Sequence, residues 1–247
     1  MPLVEICVDS VSGVRAAAVA GAARVELCAA LIEGGITPSV GLIRQAVESA
    51  ARALRVHVII RPRGGDFLYD DDEYAAMAQD IDAAKAAGAE GIAIGLLRAD
   101  GAIDADRTGR LIERARPLSV TFHRAFDVSR DPLAGLDTLI GLGVDRLLTS
   151  GQEPNVLQGA PLIRTLIERA AGRLVVMPGG DITSRNAARV LAETGAAELH
   201  FAAFEAGTSG MGWRNEAVYM GGTLRPPEYD RPVTTTRAIR AVTGAIR

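Results

Sequence analysis

Two Glu-x-Cys tripeptides, Glu5-x-Cys7 and Glu26-x-Cys28, combine residue types that serve acid–base and metal chemistry. Each lies in a short apolar, β-branched run typical of a strand. Because side chains alternate along a strand, each glutamate shares a face with its cysteine. Two thiolates on neighbouring strands could bind a soft monovalent metal such as Cu(I). They could equally be small buried side chains or, against the expectation for a reducing compartment, a disulfide.

A second possible chemistry is proton transfer by carboxylate and imidazole side chains. Glu5 and Glu26 are carboxylates on predicted interior faces, and His123 ends a further predicted strand. Carboxylates and imidazoles are the usual general acids and bases, so these three are the candidate catalytic residues. The alternative is an ion network with Arg61 that stabilises the fold.

Anion binding is predicted from Arg61 and Arg63, which flank Pro62. Two arginines separated by one residue in an extended chain project to the same side. Guanidinium groups pair well with carboxylate and phosphate, so the pair predicts an anion site where the strand ends. A loop contact between Arg63 and Asp66 is the alternative.

A second candidate anion site follows a later predicted strand. Gly179 and Gly180 precede a helix start, where backbone N–H groups often bind phosphate in barrel proteins. Thr149, at the end of the preceding strand, adds a hydroxyl. Asp181 lies in the same turn and would repel a phosphate, and a glycine pair also suits a tight turn.

The elements that must position these residues alternate between strand and helix, a pattern typical of βαβ units. The predicted strands are Leu3–Asp9, Arg24–Ala29, Val56–Arg61, Gly91–Leu96, Leu118–His123, Arg146–Ser150, Leu174–Met177 and Glu198–Ala202. The predicted helices are Val11–Gly21, Pro38–Leu54, Asp71–Ala87, Asp104–Arg116, Pro132–Leu142, Pro161–Ala171, Ser184–Glu193 and Thr234–Ile246. This count predicts an α/β fold, a single-domain (β/α)8 TIM barrel over residues 1–247, with its site at the carboxyl ends of the strands.

Composition and net charge limit the classes of binding partner that we expect. The chain has 247 residues, 48% of them hydrophobic, and a formal net charge of -3, which favours neither nucleic acid nor anionic lipid as a partner. We find no apolar run of the roughly 18 residues that cross a bilayer and no basic leader, so we expect a cytoplasmic protein without a membrane partner. Lys85 is the only lysine and lies in a predicted helix, which argues against Schiff-base chemistry.

The longest connection, residues 204–233, links the eighth strand to the eighth helix. It holds Trp213, the only tryptophan, together with Tyr219 and Tyr229. Clustered aromatic residues in a long loop are typical of a lid or a subunit contact. We therefore expect a homodimer or a larger homo-oligomer.

Five stretches of the chain form a combination typical of one family. They are Arg24-Val25-Glu26-Leu27-Cys28, Glu33-Gly34-Gly35-Ile36-Thr37-Pro38-Ser39, Ile60-Arg61-Pro62-Arg63-Gly64-Gly65-Asp66-Phe67, Val120-Thr121-Phe122-His123-Arg124-Ala125-Phe126-Asp127 and Leu148-Thr149-Ser150-Gly151. The combination resembles the CutC copper homeostasis family. The resemblance implies a (β/α)8 barrel, a cytoplasmic setting, homo-oligomers and a role in copper tolerance, with Cu(I) bound at Cys7 and Cys28.

Two hypotheses of function follow. The first is a copper homeostasis protein that binds copper(I) through the paired thiolates. The alternative is a barrel enzyme acting on a small anionic molecule, a phosphate or a carboxylate. In that case Arg61 and Arg63 would hold the anion, and Glu26 or His123 would transfer a proton.

Overall fold

The strands predicted from the apolar runs are all present and lie parallel to one another. The computed structural model describes residues 2–51, 53–218 and 230–246. The barrel strands in those ranges are β1 (Leu3–Val8), β2 (Arg24–Leu27), β3 (Arg55–Ile59), β4 (Gly91–Ile94), β5 (Ser119–Phe122), β6 (Arg146–Thr149), β7 (Val175–Pro178) and β8 (Glu198–Ala202). They form one sheet in the order β7-β6-β5-β4-β3-β2-β1-β8, and a bridge between Gly179 and His200 joins its two ends. The predicted (β/α)8 barrel is confirmed.

A helix follows each barrel strand along the chain. The helices are α1 (Val11–Ala20), α2 (Val40–Ala50), α3 (Asp71–Ala86), α4 (Ala105–Ala115), α5 (Pro132–Gly141), α6 (Ala160–Ala170), α7 (Ala187–Thr194) and α8 (Thr236–Gly244). Helix α3 begins with a capping box, because Asp70 accepts from the Glu73 N–H at 2.8 Å and Glu73 accepts from the Asp70 N–H at 3.0 Å. Helix α2 begins at Val40 and not at the predicted Pro38, because Ser39 is its N-cap and accepts a hydrogen bond from the Leu42 N–H.

Alternation along the strands separates two environments. Apolar residues such as Ile6 pack between the sheet and the helices, in the main hydrophobic core. The other face of each strand points into the barrel. There the parallel register places Glu5 opposite Arg24 and Cys7 opposite Glu26 on β1 and β2. The interior therefore holds charged and thiol side chains in layers, which must pair with one another to be buried.

The segment between β8 and α8 is not one continuous loop. It contains two further strands, β9 (Phe204–Thr208) and β10 (Asp230–Thr234), which pair antiparallel. The prediction of a loop over residues 204–233 missed this ribbon, because its residues carry no strong apolar alternation. Trp213 is 79% exposed, while Tyr219 and Tyr229 lie outside the described residues.

Among residues 2–51, 53–218 and 230–246, we find no helix both long and apolar enough to cross a bilayer.

Candidate metal centre

The two thiols meet inside the barrel, at the carboxyl ends of β1 and β2. Cys7 Sγ and Cys28 Sγ are 3.7 Å apart. Cys28 follows β2 directly, and its N–H donates to the Val8 carbonyl at 2.8 Å, which fixes it beside β1. Cys7 also borders a cavity of about 350 Å³ that opens at this end of the barrel. One sulfur is thus reachable from the barrel mouth, and the second lies immediately behind it.

Glu26 and His200 add two further donor groups to the thiol pair. The ligand atoms of Cys7, Glu26 and His200 all lie within 4.8 Å of one another. His200 Nε2 is 3.8 Å from Glu26 Oε2, and Cys28 Sγ is 3.5 Å from the same carboxylate oxygen. We name Cys7, Cys28, Glu26 and His200 the thiol cluster. All four residues are buried, so their protonation states depend strongly on one another.

The contact between the two thiols shifts their pKa values in opposite directions. The hydrogen bond from Cys28 lowers the pKa of Cys7 to about 6, and the His200 ring also favours its thiolate. The same contact, together with burial, raises the pKa of Cys28 well above its usual value. Near neutral pH the pair therefore consists of the Cys7 thiolate and the Cys28 thiol.

The other two members of the cluster also hold protons near neutral pH. Burial raises the pKa of the Glu26 carboxyl to about 8. Burial acts to lower the pKa of His200, but hydrogen bonds to Cys7 and Glu5 raise it well above its usual value. The resulting imidazolium stabilises the adjacent Cys7 thiolate.

A layer of ion pairs beneath the cluster holds His200 in place. Glu5 Oε1 accepts a hydrogen bond from His200 Nδ1 at 2.7 Å, which turns Nε2 toward the thiols. Arg24 donates to both Glu5 and Glu198, and Arg146 Nε is 3.0 Å from Glu198 Oε2. Although burial acts in the opposite direction, His200 and Arg24 lower the pKa of Glu5 well below its usual value. Glu5 is thus an ionised positioning residue rather than a proton donor.

His123 lies on another wall of the cavity. Its Nδ1 accepts from the Ala125 N–H at 3.1 Å, so the proton of the neutral ring is on Nε2. Burial and the charge of Arg61 lower the pKa of His123 to about 3, which keeps the ring neutral. The ring lies 5.3 Å from that of Phe67, measured between centroids. His123 does not belong to the thiol cluster, although both border the same space.

The chain is similar to known proteins over most of its length. The model of the CutC family matches residues 2–205. The chain belongs to the CutC family. The copper homeostasis protein cutC homolog of Homo sapiens is 49% identical over 240 residues, 97% of this chain and 87% of the human protein. A CutC family protein from Mesorhizobium japonicum is 46% identical over 247 residues, covering 100% of this chain and 95% of its own. The crystal structure of CutC from Streptococcus agalactiae is 33% identical and gives a TM-score of 0.78, covering 81% of this chain and 98% of its own.

In this CutC chain the two predicted anion-binding arginines do not lie side by side. Arg61 is buried at the cavity and donates to three main-chain carbonyls, those of Glu33, Gly35 and Gly65. Arg63 turns away from the cavity, where its Nε lies 2.5 Å from Glu73 Oε1 and its Nη2 lies 3.0 Å from Asp66. The rule of alternation fails here because β3 ends at Ile59 and the chain then bends through a loop.

The remaining predicted anion ligands are divided between two places. Gly180 borders the cavity together with Asp181. Thr149 instead points to the outside of the sheet and donates to Asp127, because Leu148 takes the interior position on β6. Gly179 lies against Leu148 and His200, where an added Cβ would come within 2.5 Å of Leu148 Cδ1. A larger residue here would require the Leu148 side chain to move, so close packing is a second reason for glycine at this position.

Two contributors to the site were not selected from the sequence. They are His200, which belongs to the thiol cluster, and Arg24, which bridges the carboxylates of Glu5 and Glu198. The available signal was the Glu198-x-His200 alternation on the last strand. Its meaning depends on the pairing of β8 with β1, which places His200 opposite Glu5.

Proposed function

We propose that this CutC protein binds Cu(I) through Cys7 and Cys28 and serves copper homeostasis in the cytoplasm. The observation that carries the proposal is the 3.7 Å separation of the two sulfur atoms beside an open cavity. Soft thiolates favour Cu(I) over hard cations. The name of the human relative, a copper homeostasis protein, agrees with the same assignment.

The donor set fits Cu(I) better than it fits zinc. A structural zinc site uses four ligands in a tetrahedron, which here would require Cys7, Cys28, Glu26 and His200 together. Glu26 and His200 both hold protons near neutral pH, since the pKa of Glu26 is raised to about 8 and the pKa of His200 is raised well above its usual value. Zinc would have to displace both protons, whereas Cu(I) on two thiolates displaces only the proton of Cys28.

Access and protonation suggest how the ion is taken up. Cys7 borders the cavity and is already a thiolate near neutral pH, so we infer that it makes the first contact with an incoming ion. Cys28 then loses its proton as the second sulfur binds. His200, held by Glu5, keeps a positive charge beside the thiolate until the ion arrives. A reducing compartment keeps both thiols available for this step.

The affinity for Cu(I) is expected to rise with pH in two stages. Above pH 6 the pair carries one proton, and its release on binding should raise the association constant about tenfold per pH unit. Below the Cys7 pKa of about 6 the pair carries two protons, and the dependence should steepen to about a hundredfold per pH unit. Titration against a chromophoric Cu(I) chelator under reductant, from pH 5 to 8, measures this slope and the number of ions bound.

The same titration can contradict the proposal. A pH-independent affinity between pH 6.5 and 8 would mean that the Cys28 proton is not displaced and that only one thiolate binds. Tighter binding of Zn(II) than of Cu(I) would contradict the assignment of copper. Correction for the protonation of the chelator, measured without protein, is the control.

We also propose that the chain forms a homodimer or a larger homo-oligomer. Exposed apolar side chains concentrate after β8, where Met211 is 59%, Trp213 79% and Val218 52% exposed. Exposed apolar patches of this kind are typical of contacts between subunits. Light scattering at micromolar concentration should give at least twice the chain mass of 25.9 kDa. A mass equal to that of one chain would contradict this expectation.

A further inference from the structure

The cavity beside the thiol cluster is much larger than a metal ion requires. Its volume of about 350 Å³ lies in the range of sites for small organic molecules. Only one wall is formed by the thiol cluster. The other walls carry charged, polar and apolar groups that the binding of copper does not use, and these groups define the chemistry of a second ligand.

Arg61 brings a positive charge to the cavity wall without a carboxylate partner. Its side chain is buried, with 6% of the residue exposed. It donates to carbonyls of Glu33, Gly35 and Gly65, and we find no ion pair for it among the described residues. A buried guanidinium that has only neutral acceptors is favourably placed to attract an anion.

His123 supplies an unused hydrogen-bond donor beside this charge. Its Nε2 has no hydrogen-bond partner within the described part of the chain, and the residue is 4% exposed. Because Nδ1 accepts from Ala125, the unused nitrogen carries the proton. The Phe67 ring is close to both groups, with its centroid 5.0 Å from the Arg61 guanidinium carbon and 5.3 Å from the centroid of the His123 ring. A cation and a neutral N–H donor therefore lie next to the same aromatic ring.

The rest of the cavity limits what kind of anion fits. Ile59, Leu148 and Phe67 give it apolar walls. Arg124 also borders the cavity, but its charge is already paired with Asp127 at 2.7 Å. Asp181 at the rim adds a negative charge. One unpaired positive charge and a nearby carboxylate favour a singly charged anion with an apolar body over a doubly charged phosphate.

We propose that the cavity binds a small organic carboxylate, with its carboxylate group against Arg61 and His123 and its carbon chain against Ile59, Phe67 and Leu148. The ligand lies beside the thiol cluster and does not require copper. The proposal is therefore independent of the proposed copper function.

Butyrate is a suitable probe because it combines one carboxylate with a short apolar chain. The chain has three histidines, so the imidazole region of a ¹H–¹⁵N spectrum of copper-free, ¹⁵N-histidine-labelled protein can be assigned ring by ring. Butyrate should shift the His123 Nε2 signal saturably. Uncharged butyramide, the matched control, should not reproduce the shift. Equal effects of the two, no saturable shift, or tighter binding of inorganic phosphate would overturn the proposal.

Substitution of His123 tests the role of its donor directly. His123→Phe keeps a ring beside Phe67 but removes the N–H donor, and calorimetry should show butyrate binding weakened about ten- to a hundredfold. His123→Gln retains an N–H donor and should weaken butyrate binding less than His123→Phe does. It also keeps the test possible if the His123→Phe protein does not fold. Undiminished binding in a folded His123→Phe protein would contradict the assignment.

Measurement of Cu(I) binding by the same proteins tests the copper proposal separately from the carboxylate proposal. The His123→Phe protein should still bind Cu(I) like the wild type, since His123 is not part of the thiol cluster. If the wild type fails to bind Cu(I), the copper proposal fails while the butyrate result stands. If butyrate fails to bind but Cu(I) binds, only the carboxylate proposal fails.

Discussion

Cys7→Ser and Cys28→Ser should each lower the affinity for Cu(I) by a factor on the order of a hundred to a thousand. Structural Zn²⁺ held by four ligands in zinc-finger peptides contributes about 10–16 kcal/mol, or about 2.5–4 kcal/mol for each ligand. A loss of that size corresponds to about two to three powers of ten in the dissociation constant. Serine preserves the size of the side chain but replaces a soft thiolate with a hard, neutral hydroxyl. Competition with a Cu(I) chelator at pH 7 measures the change.

Met177→Leu is the matched control for these substitutions. Met177 carries another sulfur inside the barrel, but that sulfur contacts Arg24 at 3.0 Å in the layer beneath the thiol cluster. The change conserves volume and should leave the affinity for Cu(I) unaltered. Serine variants that bind Cu(I) as tightly as the wild type would refute the thiol pair as the copper site.

Arg24→Met should lower the free energy of unfolding by about 3–5 kcal/mol, which is the usual effect of removing one partner from a buried ion pair. Arg24 is 2% exposed and donates to both Glu5 and Glu198. Without it, Glu5 retains His200 and Glu198 retains Arg146, so one positive charge is missing from the layer. Urea denaturation at pH 7 measures the loss.

Lowering the pH should reduce the difference in the free energy of unfolding between the wild type and Arg24→Met. In the wild type, Arg24 and His200 lower the pKa of Glu5, and the resulting stability is present at neutral pH and is lost as the pH falls. Loss of Arg24 lets Glu5 bind a proton at a higher pH, so the variant is expected to lose less stability on acidification. Arg169→Met is the matched control, since Arg169 pairs with exposed Asp137 and its removal should have no resolvable effect. Equal stability of Arg24→Met and the wild type would refute the importance of this layer.

Several features of the protein follow from local sequence alone. Apolar runs that alternate with segments of helical period predict the eight strands, the helices that follow them and the barrel. Each of these elements is determined by residues close together in the chain. The same alternation placed Glu5, Cys7 and Glu26 inside the barrel, since side chains on a strand repeat every two residues. On β6 it was not sufficient. The interior position there belongs to apolar Leu148, and the Thr149 hydroxyl donates to Asp127 instead of joining the predicted anion site.

Tertiary structure decided which of the interior residues meet. His200 and Glu5 are 195 residues apart in the chain, and their 2.7 Å contact exists only because β8 pairs with β1 in a particular register. The same closure places Arg24 between Glu5 and Glu198. Local sequence cannot specify such contacts, since the register between distant strands is set by the packing of the whole barrel. The sequence therefore determined the residue types available inside the barrel, and closure of the sheet determined their partners, their protonation and the cavity beside them.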